Sequence, residues 1–346
     1  MKMPFKTSAY RKAVVCLGFS VIFAPGTAVA EDDVTIGVAM NRQAERRWAV
    51  DREAMEAEAA KLGVKLIFQY ANSDPSLQTS QVENLLSQQV DALILVPVDR
   101  EAAGALVKSA QADGIPVVGY DGGTTTAKLD YFVTRDNASV GTLQADAAIA
   151  FAGNGNYAIF KGDSGNDVAQ TIAGSYEKVF KEHADAKIVF DQFISGWSPS
   201  TAQANAENVL SANNDQVNAF VVTNDGMATG VAQAIRSRNL AGKVFLSGLD
   251  GETANLRLIA EGVQTMTAWT DLVDHGRAAV RAAAALVKNE VPEHDVMLDL
   301  SAGEVPTHLV PISSINKDNL CKFVTTDAPK GWTSVEEVFG SADACK

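Results

Sequence analysis

The sequence predicts an α/β protein built as two similar lobes, each a parallel sheet covered by helices on both faces. Three observations carry this. Near-continuous apolar strands alternate with helices from Val34 onward, the pattern of a parallel sheet buried on both sides. The alternation restarts after Gly153. Finally, residues 89–122, "QVDALILVPVDREAAGALVKSAQADGIPVVGYDG", return at 216–251 as "QVNAFVVTNDGMATGVAQAIRSRNLAGKVFLSGLDG". Gln89-Val90 matches Gln216-Val217 at an offset of 127, and Asp121 matches Asp250 at 129. Two β-α-β units that begin alike and end alike on Asp-Gly imply two similar domains, and 346 residues is more than one core usually serves.

In chain order, "VTIGVAM" (34–40) reads as a buried strand. Helical apolar spacing follows over 44–61 and stops at Gly63. "VKLIFQY" (64–70) is the next strand. Asp74 as N-cap with Pro75 in the first turn starts a helix. "DALILVPV" is a strand, 100–113 a helix ending at Gly114, and "IPVVGY" a strand. In the second half "NYAIFKG", "AKIVFDQF", "NAFVVTN", "KVFLSG" and "QTMTAW" read as strands, with helices at about 167–183, 199–213, 226–238 and 253–261.

The first 30 residues stand apart. Lys2, Lys6, Arg11 and Lys12 form a basic region, 13–24 an apolar run, and "AVA" (28–30) a small-residue cleavage signal, so the expectation is a secretory signal peptide cut before Glu31. The run is shorter than the roughly 20 residues of a membrane-spanning helix. Val15 before Cys16 is not the small residue expected of a lipoprotein signal. Removal would leave 25 basic against 42 acidic residues, a net charge of −17. Such a chain repels polyanions, which argues against a nucleic-acid partner or an anionic membrane surface. Cys321 and Cys345 then remain, and an even pair in an exported chain favours a disulfide over two free thiols.

Asp121 and Asp250 both end strands, and in parallel α/β sheets ligands bind outside the carboxyl ends of the strands. If the lobes face each other through those edges, the two carboxylates meet in one cleft. They would serve as acid and base, as acceptors for ligand hydroxyls, or as helix caps, Asp250 standing ahead of "GETANLRLIA". Nothing in these Gly-rich turns raises a carboxyl pKa, so binding is preferred to catalysis. Other strand-end candidates are Asn224 with Asp225, Asn166 with Asp167, Arg47 with Trp48, and Trp197 in "SGWSPSTA". Amides and carboxylates suit a polyol, and an indole face covers the C–H side of a sugar ring. Trp48 equally fits a core position, and Trp269 reads as packing. G-x-S-x-G, P-loop and HExxH motifs are absent, and the four histidines lack ligand spacing. No cofactor and no metal are expected.

With "RRW" (46–48), "QVENLLSQQVDALILVPVD", "GIPVVGYD", "SGWSP" (195–199), "TNDGMATG", "GKVFLSGLDGE", "GVQTMTAW" and "VPTHLVPISSINKDN" in this order, the chain resembles the type I periplasmic sugar-binding proteins of ABC transporters, in the D-xylose and multiple-sugar receptor group. The resemblance implies two Rossmann-like domains joined by a three-crossover hinge near 135, 270 and 308. The lobes would be 31–135 plus 271–307 and 136–270 plus 308–346. It implies that Arg47, Trp48 and Asp121 contact a sugar from the first lobe, and Asn166, Asp167, Trp197, Asn224 and Asp250 from the second. It also implies a monomeric, non-enzymatic protein that docks on a membrane permease, with a chemoreceptor as a further partner. The sequence departs where the group commonly carries Arg, here Gly122, and Lys, here Thr270. The stretch before Arg47-Trp48 also differs, with Arg42 and Glu45 as substitutes. D-xylose is therefore one candidate among pentoses, hexoses and polyols. A secreted carbohydrate-active enzyme is the alternative. A sugar-responsive repressor core would need an N-terminal helix-turn-helix in place of the export signal.

Overall fold

Residues 1–5, 34–43 and 45–346 are described by the computed structural model. The expected signal peptide, with Cys16 and the cut before Glu31, lies outside the described residues apart from Met1–Phe5. The chain divides into two units, 1–32 and 33–346, and everything below concerns the second.

The first half builds β1 (Thr35–Met40), α1 (Arg46–Leu62), β2 (Lys65–Tyr70), α2 (Pro75–Ser87), β3 (Ala92–Leu95), α3 (Ala102–Ala112), β4 (Val117–Tyr120) and β5 (Tyr131–Arg135). The second builds α4 (Asn137–Ala152), β6 (Asn156–Lys161), α5 (Asp167–Glu182), β7 (Lys187–Phe193), a 3₁₀ turn (Ser195–Trp197), α6 (Pro199–Ala212), β8 (Ala219–Val222), α7 (Asp225–Ser237), β9 (Phe245–Leu246), α8 (Thr253–Ala260) and β10 (Met266–Thr270). Then follow α9 (Leu272–Val287), β11 (Val296–Asp299), β12 (Glu304–Val310), β13 (Ile312–Asn316), α10 (Leu320–Lys322), a π turn (Phe323–Asp327) and α11 (Val335–Phe339).

The punctuation seen in the sequence is used as expected. Asp74 accepts from the amides of Ser76 and Leu77 to cap α2, with Pro75 in the first turn, and Gly63 ends α1 in the left-handed conformation. The sheets run in the order β11-β12-β5-β4-β3-β1-β2 and β7-β6-β8-β9. All pairs are parallel except β11 with β12. β10, expected as a plain sheet strand, instead pairs antiparallel with β13 and touches the second sheet through the single bridge Leu249–Ala268.

Strand alternation sorts the cores. Ile36, Val38 and Met40 face α1 and α9, while Ala39, Leu93 and Leu95 face α2 and α3. In the second lobe Phe160 and Val222 meet α6 and α7, while Tyr157 and Ile159 meet α4 and α5. A fifth cluster seats the C-terminal segment, with Trp269 in edge contact with Phe323 and tilted against Trp332. Cys321 and Cys345 are bonded there, their Cα atoms 5.5 Å apart.

The chain leaves the first sheet after β5, returns after β10 through Asp271 into α9, and leaves again after β12. β12 keeps its register with β5 up to the pair Val310–Arg135. Among the described residues no helix is long and apolar enough to cross a membrane.

Candidate functional site

The two repeated aspartates occupy equivalent backbone. Asp121 follows β4 with φ 64° and Asp250 follows β9 with φ 111°, left-handed values that cost a non-glycine residue energy and recur at functional sites. The amide of Asp121 donates to Val133 O on the neighbouring β5 (2.9 Å), and that of Asp250 to Ala268 O on the neighbouring β10 (3.0 Å). Asp250 is not a helix cap: α8 begins at Thr253 with Glu252 at the N-cap.

Both carboxylates meet on Arg47. Its Nη2 lies 3.0 Å from Asp121 Oδ1, and its Nη1 lies 3.2 Å from Asp250 Oδ1. Asp51, one turn along α1, stands 3.5 Å from Nη2. Arg135, ending β5, places Nη1 2.8 Å from Asp121 Oδ1. All five side chains are buried.

Burial by itself pulls the Arg47 guanidinium down, but Asp121, Asp51 and Asp250 outweigh it and hold the group well above its ordinary value. For Asp121, burial pushes up while Arg135 and Arg47 prevail, so its carboxyl lies below the usual range. For Asp250 burial prevails over Arg47 and Arg135, and its carboxyl is raised. Burial pushes Asp51 up to about 7 despite Arg47. His275 lies tilted against Tyr120, ring centroids 4.3 Å apart, and burial lowers it to about 3, so it is neutral at pH 7.

The cavity between the lobes is small, about 20 Å³, and is lined by Asn41, Arg42, Arg47, Trp48, Asp121, Arg135, Asn166, Val168, Trp197, Asn224, Leu249 and Asp250. Seven of the eight expected residues therefore converge. Asn166 and Asn224 have a double use. Their Oδ1 atoms cap α5 and α7, accepting from Ala169 and Met227, which leaves each Nδ2 as a donor at the cavity wall.

Trp48 belongs to the core as well as the wall: its Nε1 donates to Glu45 (2.8 Å), and Arg47 covers its ring at 4.3 Å. Trp197 reaches the cavity from a left-handed turn (φ 54°). Gly162 makes room for it, since a Cβ there would fall 2.3 Å from the indole. Asp167 is elsewhere. As the residue after the Asn166 cap it turns off that line, its Oδ2 accepting from Gly123 N at 3.4 Å, in a groove with Thr171 and Leu300.

Sequence reasoning passed over Arg135, Asn41, Val168 and Leu249. The available signal for Arg135 was an arginine closing the otherwise apolar strand "YFVTR". Arg42, named as a substitute, pairs with Glu45 at 2.8 Å and lies 5.6 Å over the Trp197 ring. Asp225 is committed inside the second lobe, accepting from Glu252 N and Gln264 Nε2. Among the described residues no cluster of three metal-ligating side chains occurs.

Two α/β lobes that enclose a ring of polar side chains between their strand ends define a protein that holds a small ligand between domains. Residues 36–290 match the family model described as "Periplasmic binding protein domain", and the chain belongs to that family. It is 34% identical over 298 residues to a D-xylose-binding periplasmic protein of Escherichia coli, covering 85% of this chain and 90% of that one. It is 29% identical over 307 residues to a xylitol-binding protein of Mycolicibacterium smegmatis, covering 88% and 84%. Among solved structures it superposes on a carbohydrate transporter solute binding protein from Chloroflexus aurantiacus in complex with D-glucose. There the TM-score is 0.79 and the identity 25%, covering 87% of this chain and 97% of that one.

Proposed function

We propose that this protein captures a neutral monosaccharide, D-xylose or a related sugar, between its lobes in the periplasm and delivers it to an ABC permease. The convergence of both repeated aspartates on one cavity, shared with Arg47, carries this reading. The lining charges favour a neutral ligand. Arg47 and Arg135 stand against Asp121 and Asp250, and Arg42 is paired with Glu45. A charged ligand would bring an unbalanced charge into a buried site. Donors from Asn166 and Asn224, acceptors from the aspartates, and indole faces from Trp48 and Trp197 match alternating hydroxyl and C–H faces.

A cavity of about 20 Å³ is the size of a water site, so a sugar enters when the lobes part. Parting separates Arg47 from Asp250, and the three passages at 136, 271 and 311 are the proposed hinge. Arg42 and Trp197 also border a wider groove of about 600 Å³, the proposed way in. Export would follow cleavage before Glu31, and the ligand-bound form would present both lobes to the permease or to a chemoreceptor.

A thermal-shift panel of pentoses, hexoses and alditols tests this. Ligand at 100 times its dissociation constant adds about 2.7 kcal/mol, which raises Tm by degrees. A shift confined to one sugar class, with the sugar recovered chemically unchanged, is the expected result. Turnover of the sugar would favour the enzyme alternative, and no shift with any compound would remove the sugar reading.

A further inference from the structure

We infer that Arg135 is a ligand-binding residue that sets which sugar the cleft accepts. The inference rests on the sugar-binding reading above and adds to it a contact from β5.

Arg135 lines the cavity at 3% exposure. It makes one ion pair, through Nη1 with Asp121, and its Nε has no hydrogen-bond acceptor. A guanidinium carries five N–H groups, and a buried donor left unmet is costly. Asp121 Oδ1 already faces both Arg47 and Arg135, and Asp250 Oδ1 faces Arg47. The Nε of Arg47 is likewise without an acceptor. The Asn166 and Asn224 amides add further donors. Arg135, in the wall of the cavity, therefore keeps a buried Nε donor that no protein acceptor meets, and a sugar oxygen completes it.

Gly122 follows Asp121, and packing does not demand a glycine there, since a Cβ would meet only Pro97 Cδ at 3.7 Å and Val168 Cγ2 at 4.0 Å. Arg135 is aligned by the strand pairing itself, because Asp121 N bonds Val133 O and Thr134 Oγ1 bonds Asp121 O.

Calorimetric titration of the protein starting at Glu31 with D-xylose, D-glucose and xylitol, as it stands and as Arg135→Gln and Arg135→Lys, tests the assignment. Arg135→Gln should weaken the tightest of the three by about tenfold or more, and Arg135→Lys should recover part of the loss. The same titrations with each monodeoxy analogue of that compound, and with the 5-thio analogue of a ring sugar, separate contact from support. A direct bond makes the Arg135→Gln loss disappear for the one analogue that lacks the bonded oxygen. An equal loss across all analogues would reduce Arg135 to a brace for Asp121 and overturn the proposal, as would an unchanged affinity. If Arg135→Gln does not fold, Arg135→Lys carries the same analogue comparison. Unmutated protein that binds none of the three compounds would defeat the sugar reading and this proposal together. Binding by the unmutated protein with no effect of Arg135 would defeat only this one.

Discussion

Asp121 and Asp250 close equivalent units of the two lobes, on equivalent left-handed backbone, each bonded to the next strand, and yet their proton affinities move in opposite directions. Asp121 lies between two guanidinium groups, Arg135 at 2.8 Å and Arg47 at 3.0 Å, and is held ionised. Asp250 pairs with Arg47 at 3.2 Å, and burial raises its carboxyl against Arg47 and Arg135, with Glu45 and Asp121 adding to the rise. A repeated sequence thus reproduces the position of a carboxylate but not its proton affinity, which is set by burial and by neighbours drawn from elsewhere in the chain.

The comparison breaks most severely at the shared cation. Arg47→Met leaves Asp121, Asp250 and Asp51 around an apolar side chain. The expected cost is about 3–5 kcal/mol, the cost of removing one partner of a buried pair, read as a fall in the urea midpoint at pH 7. A loss below about 1 kcal/mol would mean that Arg47 is not the common anchor.

The two aspartates should then part company. Asp121→Asn removes a charge that two arginines favour, and about 2 kcal/mol of stability should go with it. Asp250→Asn removes a charge that burial disfavours, and it should cost much less. Equal losses would erase the distinction between the lobes. Sugar affinity should fall in both variants, by tenfold or more in Asp250→Ala.

Reducing Cys321–Cys345, which closes a 24-residue separation at the C-terminus, should cost about 2 kcal/mol and leave sugar affinity unaltered, because it touches neither aspartate. A thiol titration finding two free sulfhydryls in the native protein would remove the clip.

The smallest effect is in the pH profile. Asp121, depressed in the folded state, contributes stability that is complete above the usual carboxyl range of about 4 and is lost at lower pH. Asp51 and Glu252, each raised to about 7 chiefly by burial, act the other way: the folded state holds their protons, so stability declines as pH rises from about 4 through 7. Glu252→Gln should flatten that decline by about 1 kcal/mol, measured as Tm against pH. A profile of unchanged slope would mean that Glu252 titrates as an ordinary carboxyl.

Local signals were strong enough to place the elements from β1 to β4 and from β6 to β10. Asp74-Pro75 starts α2, Gly63 stops α1, and the apolar runs mark the strands within a residue or two at most ends. The pairing of β10 was hidden, because "QTMTAW" is equally apolar in a parallel sheet or an antiparallel ribbon, and its partner β13 lies more than 40 residues on. In the site, strand-end position marked Arg47, Trp48, Asp121, Asn166, Trp197, Asn224 and Asp250 for one cavity. The same criterion also took in Asp167, since adjacent helix residues diverge by about 100° and one-dimensional spacing alone does not say which of them points inward.

The sequence by itself determined the α/β alternation, the twofold repeat and the placing of an acid at the end of each copy, because these depend on apolar periodicity, turn chemistry and the geometry of parallel strands. Only the tertiary structure decided that both acids share Arg47, that Arg135 forms an ion pair with Asp121, and that the proton affinities of the two acids differ. Electrostatics inside a protein depends on distances of a few ångströms between residues far apart in the chain, and those distances exist only once the lobes have come together.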